Sequence, residues 1–116
     1  MTEAQFQRSV IELAQLNGWK VAHFRPAQNG RGNWRTPVAA DGAGFPDLVL
    51  VRDRVIFAEL KTDRGRVRPE QQAWLDALTE ARVKAQTSGV LDVVIWRPKD
   101  WPDILATLNT RQVTPW

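Results

Sequence analysis

Three side chains in the middle of the chain, Asp47, Glu59 and Lys61, have the types and spacing that could hydrolyse a phosphodiester. They lie in two consecutive apolar segments, GFPDLVLV over 44–51 and VIFAELK over 55–61. Side chains alternate faces along a strand, so Glu59 and Lys61 project to one side and Leu60 to the other. Asp47 opens the first segment and can lie beside Glu59 across a hairpin ladder. Phosphodiester hydrolysis calls for a cation to neutralise developing charge, a water of lowered pKa, and groups that orient both. Two carboxylates can hold Mg2+ through hard oxygens and leave positions for water and a phosphate oxygen. An adjacent lysine can orient or deprotonate the water and stabilise the negative charge of the transition state. Taken alone, acid-x-Lys in a strand is ordinarily a surface ion pair, and an Asp after proline a turn residue. The joint pattern of Pro46-Asp47, eleven intervening residues, Glu59 and Lys61 is far more specific.

The elements that must position these groups follow from periodicity. Residues 3–17 predict an amphipathic helix with Phe6, Val10 and Leu13 on one stripe, Ala14 widening it, and Gly18 as a stop signal. Residues 19–24 alternate as a strand. Residues 26–44 hold Pro26, Asn29, Gly30, Gly32, Pro37, Gly42 and Gly44 with little periodicity, and a connection of that length is usually functional or mobile. The runs 48–51 and 55–60, separated by Arg52, Asp53 and Arg54, read as a hairpin. Pro69 opens a helix that reaches about Lys84, with Trp74, Leu75 and Leu78 on one side. Residues 90–96 form a further strand and 100–109 a short helix. The result is an α/β sandwich around a mixed sheet, whose last strand runs parallel to its partner because a helical crossover joins them.

Helix geometry singles out two more polar groups. At about 100° per residue, Glu3 falls within the stripe of Phe6, Val10 and Leu13, while Glu12 points the other way. A core-facing acid needs a partner, and a metal or Lys61 would serve; the plain alternative is a first-turn acid favoured by the helix dipole. Gln71 shares the stripe of Trp74, Leu75 and Leu78, whereas Gln72 is rotated outward.

Composition narrows the class. A chain of 116 residues, 43% hydrophobic, is expected to form one domain over 1–116 with a packed core. The absence of cysteine removes a disulfide framework, a thiolate zinc site and a cysteine nucleophile together, and suits a reducing, cytoplasmic setting. With His23 as the only histidine, a catalytic zinc site is also disfavoured. Polar Thr2, Glu3 and Gln5 stand where a leader's apolar region would be, and no apolar run is long enough to span a bilayer. The net charge is +3, with arginines clustered at Arg25, Arg31 and Arg35 and at Arg64, Arg66 and Arg68. Guanidinium forks suit phosphate, and Arg31, Arg35, Arg64, Arg66 and Arg68 are the expected DNA-contacting set.

Glu3, GFPDLVLV with Asp47, FAELK with Glu59 and Lys61, and PEQQAWLDAL with Gln71 together resemble the VRR-NUC family, a branch of the PD-(D/E)XK nuclease superfamily. The resemblance runs from residue 3 to about 108 and looks like a stand-alone member, of a kind typical of bacteriophages and bacteria. It implies a restriction-endonuclease-like αβββαβ core with a central mixed four-stranded sheet flanked by helices. It implies Mg2+ or Mn2+ held at Asp47 and Glu59 with the backbone carbonyl of Leu60, a catalytic Lys61, and support from Glu3, at a second ion or through water, and from Gln71. It also implies a homodimer, similar to Holliday junction resolvases, acting on branched DNA. Action on flaps, nicked duplex or single strands, and an inactive DNA-binding module, are the alternatives. Trp101 and Trp116 are candidates for a dimer interface. Arg68 stands where the family often has a helix-capping serine, and the 26–44 connection is this chain's own.

Overall fold

The computed structural model describes residues 1–24 and 39–111 in full, and between them only the backbone of the strand positions 27–28 and 34–35. Helix α1 (Glu3–Leu16) leads through strand β1 (Lys20–His23) and a short ribbon, β2 (Ala27–Gln28) and β3 (Trp34–Arg35), into the hairpin β4 (Leu48–Val51) and β5 (Val55–Leu60). Helix α2 (Pro69–Lys84), strand β6 (Leu91–Trp96), a 3-10 turn (Pro98–Asp100) and helix α3 (Trp101–Asn109) complete the order. The main sheet runs β1-β4-β5-β6. Its first two pairings are antiparallel, and β5 pairs with β6 in parallel across the α2 crossover. This is the expected α/β architecture, a mixed open four-stranded sheet with three helices, consistent with a restriction-endonuclease-like core. The β2–β3 ribbon within the 26–44 connection is an addition, since two-residue strands carry no readable periodicity.

The two faces of β5 divide the work. Ile56, Ala58 and Leu60 are fully buried and join Phe6, Val10 and Ala14 of α1 and Ile104 and Leu108 of α3 in one apolar cluster. On α1, Ala14 is fully buried and Leu13 only partly so, which turns the stripe slightly from the one predicted. Trp101 packs against this cluster from α3 rather than standing out as an interface aromatic, because the turn before it folds the helix back onto the sheet. Trp116 lies outside the described residues. Among the described residues no helix is long and apolar enough to cross a membrane.

The hairpin turn is tied to the far end of the fold by arginine. A helix ends with carbonyls that lack intrahelical donors, and those closing α3 are met by side chains from the β4–β5 turn. Arg52 donates to Asn17 O at 2.9 Å, Leu108 O at 3.1 Å and Thr110 O at 2.7 Å. Arg54 donates to Thr107 O at 2.7 Å. Both guanidiniums also lie over the Trp19 ring, at 4.4 and 5.0 Å from its centroid, and the Trp19 indole N–H donates to Leu108 O at 3.0 Å. Replacing Arg52 by alanine removes these three bonds to carbonyls, and a fourth to Asp53 Oδ1, from a side chain only 7% exposed. We expect urea unfolding of Arg52→Ala to show a loss of about 2 kcal/mol; a loss below about 0.5 kcal/mol would mean that water replaces the guanidinium at these carbonyls.

Candidate active site

The hairpin register sets the two acids side by side. Leu48 faces Ala58 in the β4–β5 ladder, and one further step puts Asp47 opposite Glu59. Opposed antiparallel residues share a face, so both carboxyls project away from the apolar cluster. Asp47 Oδ2 accepts the Leu60 backbone N–H at 2.8 Å, which fixes the aspartate against the end of β5. The next amide, Lys61 N–H, donates to Trp96 O at 3.0 Å, so β6 anchors the chain at the lysine.

Glu59 is 1% exposed, an unusual state for an acid. Its Oε1 accepts from Gln71 Nε2 at 3.4 Å, and Gln71 is itself buried. Gln71 Oε1 in turn accepts the Arg68 backbone N–H at 2.9 Å, so one amide caps the first turn of α2 and touches the acid. That bond supplies a cap that the Arg68 side chain does not. Burial, then a hydrogen bond and charge repulsion from Asp47, push the Glu59 carboxyl up from 4.5 to about 9; Lys61 opposes the shift and Glu3 adds to it. Among the described residues no donor reaches the buried Oε2 of Glu59.

A divalent cation would fit this arrangement. It would satisfy the orphaned Oε2, relieve the repulsion between the two acids, and suit hard carboxylate oxygens. Among the described residues no group of three or more acidic, histidine or cysteine side chains gathers to hold an ion. Asp47 and Glu59 would therefore need backbone, water or substrate oxygens beside them.

The approach to Asp47 is set by packing. Gly44 has φ +85°, and a Cβ there would lie 2.5 Å from the Glu70 carbonyl and 2.8 Å from Gln71 N. Residue 44 thus runs directly against the first turn of α2. Phe45 then wedges edge-on among Phe24, Phe57 and Trp74, with ring centroids 5.1 to 6.2 Å apart. These contacts seat the Pro46-Asp47 step above the same face that carries Glu59.

Around the acids opens a cleft of about 1070 Å³. Asp47, Glu59, Lys61 and Gln71 line it together with Arg66, Arg68 and His23, and α1 contributes Glu3, Arg8 and Glu12. Glu3 is exposed rather than buried, because the first turn of α1 forms a rim of the cleft instead of packing into the core. Glu12 lines the cleft as well and is not turned wholly away from it. Arg64 is exposed and does not line the cleft, since the turn over 62–65 carries it outward. Arg31 and the Arg35 side chain lie outside the described residues. Arg8 was not singled out by sequence; only its place on α1, one turn beyond Ala4 and Glu3, could have pointed to it.

Two outcomes follow from this geometry. Gly44→Ala must place a Cβ against backbone at positive φ, and we expect a stability loss of about 2 kcal/mol or more in urea unfolding; wild-type stability would show that the segment shifts without strain. For Glu59, the unfolded carboxyl ionises near 4.5 and the folded one near 9 in metal-free protein. Below the lower value both states are protonated and there is no penalty. As pH rises between the two, the unfolded state ionises first and stability falls, with a slope approaching about 1.4 kcal/mol per pH unit for this group. Urea unfolding in EDTA should show this fall in the wild type and its absence in Glu59→Gln, whereas parallel pH curves for the two would mean Glu59 is ionised in the fold.

The VRR-NUC domain family model matches residues 34–91, half of the chain. Asp47, Glu59, Lys61 and Gln71 fall inside that segment, and Glu3, Arg8 and the strand β1 precede it. No curated protein and no solved structure matches the chain. Pro46-Asp47 leading into one strand of the hairpin and Glu59-Leu60-Lys61 closing the other spell out the superfamily's pattern within the matched segment. On that match the chain belongs to the VRR-NUC family, a nuclease-type branch of the PD-(D/E)XK superfamily.

Proposed function

We propose that this protein is a metal-dependent, structure-specific endonuclease that cleaves branched DNA such as a Holliday junction. The observation that carries the reading is the buried Glu59 set against Asp47, with Lys61 two residues on, at the floor of an open cleft. Asp47 and Glu59 would hold Mg2+ or Mn2+ together with the Leu60 carbonyl. Such an ion supplies charge neutralisation and a bound water of lowered pKa. Gln71 keeps the Glu59 carboxylate in place by its hydrogen bond to Oε1. Lys61 orients the attacking water and offsets charge on the phosphate in the transition state. Glu3 assists from the rim, at a second ion or through water.

The walls of the cleft would seat the strand. Arg8, Arg66 and Arg68 line it and offer guanidinium forks to backbone phosphates on either side of the scissile one. A homodimer would present two such sites about a twofold axis and cut two strands symmetrically.

Labelled junction, flap, nicked duplex, linear duplex and single-stranded oligonucleotides, incubated with Mg2+ or Mn2+ and with EDTA, test the proposal. Cleavage is expected in metal only, fastest on the junction, and reduced by roughly 10³-fold or more in Asp47→Ala and Lys61→Ala, with both variants still folded by circular dichroism. Preference for flaps or single strands would retain the chemistry and replace the substrate. Full activity in either variant would overturn the assignment of the site, and tight binding without turnover would leave a DNA-binding module.

A further inference from the structure

Immediately after Lys61 the chain turns through residues 62–65 before reaching Arg66 and Arg68. This turn has one backbone bond of its own, Gly65 N–H to Thr62 O at 3.1 Å. The rest of its support comes from one place. Nη1 of Arg97, just beyond the end of β6, donates to Thr62 O at 2.6 Å and to Gly65 O at 2.7 Å. Two residues on, the Lys99 backbone N–H donates to Asp63 Oδ1 at 2.9 Å. Asp100 Oδ2 accepts the Arg97 backbone N–H at 2.9 Å and so fixes the arginine's own main chain.

We infer that Arg97 is a positioning residue for the cleft: by bridging the carbonyls of Thr62 and Gly65 it holds Lys61 on one side of the turn and Arg66 on the other. It does not line the cleft that holds Asp47 and Glu59, and it lies beyond residue 91, outside the segment matched by the family model. A charged, half-buried guanidinium that reaches two carbonyls at once stabilises one turn geometry more strongly than a water at either carbonyl. Chain freedom would otherwise rise here, where strand pairing has ended with Lys61 and α2 has not begun. The arginine thus carries the rigidity of the β5–β6 pair as far as Gly65, five residues past the end of β5. Its role in the reaction rests on the nuclease reading above, whereas its hold on the turn does not.

The test uses the full chain with Arg97→Ala and the conservative Arg97→Lys, which keeps the charge but ends short of the Nη1 position that meets both carbonyls. Amide hydrogen exchange at Gly65 should speed up in Arg97→Ala while the β5 amides exchange as in the wild type. Cleavage at saturating DNA should fall by roughly 10²-fold, the scale for misplacing a reacting group by about 1 Å, with Arg97→Lys between the two. Binding of a metal-free oligonucleotide should weaken, because Arg66 is no longer held at the wall. Unchanged exchange at Gly65, or faster exchange with unchanged cleavage, overturns the inference. If the wild type cleaves no DNA in Mg2+ or Mn2+, the nuclease reading falls by itself; faster Gly65 exchange with weakened oligonucleotide binding then sustains the positioning role, and either one unchanged rejects it. Should Arg97→Ala fail to fold, Arg97→Lys carries the same three readouts.

Discussion

An ionisable carboxyl with 1% of its surface exposed must be held in place against its own desolvation. Glu59 occupies that position at the end of a central strand, and most of the surrounding structure can be understood from it. The other face of β5 is anchored by Ile56, Ala58 and Leu60, all fully buried. Since alternation is strict, this apolar grip leaves Glu59 no route to solvent by rotating the strand. Asp47 is then forced beside it by the ladder register, and Gln71 reaches it from α2. Two acids and one amide at close quarters favour a proton in the resting protein and invite a cation in its place. The same constraint that disfavours the ionised carboxyl would suit a positive charge beside it.

Arginine has two distinct tasks in this fold, and a net charge of +3 conceals the division. Arg52, Arg54 and Arg97 have their guanidiniums turned onto backbone carbonyls, at the end of α3 and in the turn after Lys61. Arg82 faces Asp92 at 3.6 Å. Arg8, Arg66 and Arg68 line the cleft. Guanidinium serves both tasks because one planar group can meet two acceptors, whether carbonyl or phosphate oxygens. Counting arginines thus overstates the surface available to nucleic acid. Their positions on the elements separate the classes: those in the hairpin turn and after the last strand serve helix ends and turns, and those beside the acids face the cleft.

Much of the fold was legible in the sequence because its elements are strongly patterned. The hairpin could be read from two apolar runs separated by Arg52, Asp53 and Arg54, and the pairing of β5 with β6 from the helix between them. Glu59 and Lys61 on one face follow from strand alternation alone. Gln71 was distinguishable from Gln72 by helix angle, and the structure buries the first and exposes the second. Glu3 lies on the α1 stripe yet is exposed, because periodicity says which stripe a residue occupies, not whether anything covers that stripe. At the first turn of α1 the stripe borders a cleft. The β2–β3 ribbon is too short for a period, and the contacts of Arg52 and Arg97 reach carbonyls 35 and 32 or more residues away, which no local pattern encodes.

The family match and the site do not have the same boundaries, and the difference bears on how such a domain varies. The matched segment holds Asp47, Glu59, Lys61 and Gln71, the groups that the proposed reaction would set closest to the phosphate. The rim with Glu3 and Arg8 comes from α1, and the support of the 62–65 turn comes from Arg97, both beyond the match. Groups that meet the reacting atoms are restricted by chemistry to a few residue types at fixed spacing. Groups that seat the rest of a strand need only present donors at roughly the right distance, and can come from any element that reaches the cleft. On the nuclease reading proposed above, substrate preference is accordingly expected to reside in α1 and the 62–68 segment, while the Asp47, Glu59 and Lys61 set would fix the reaction.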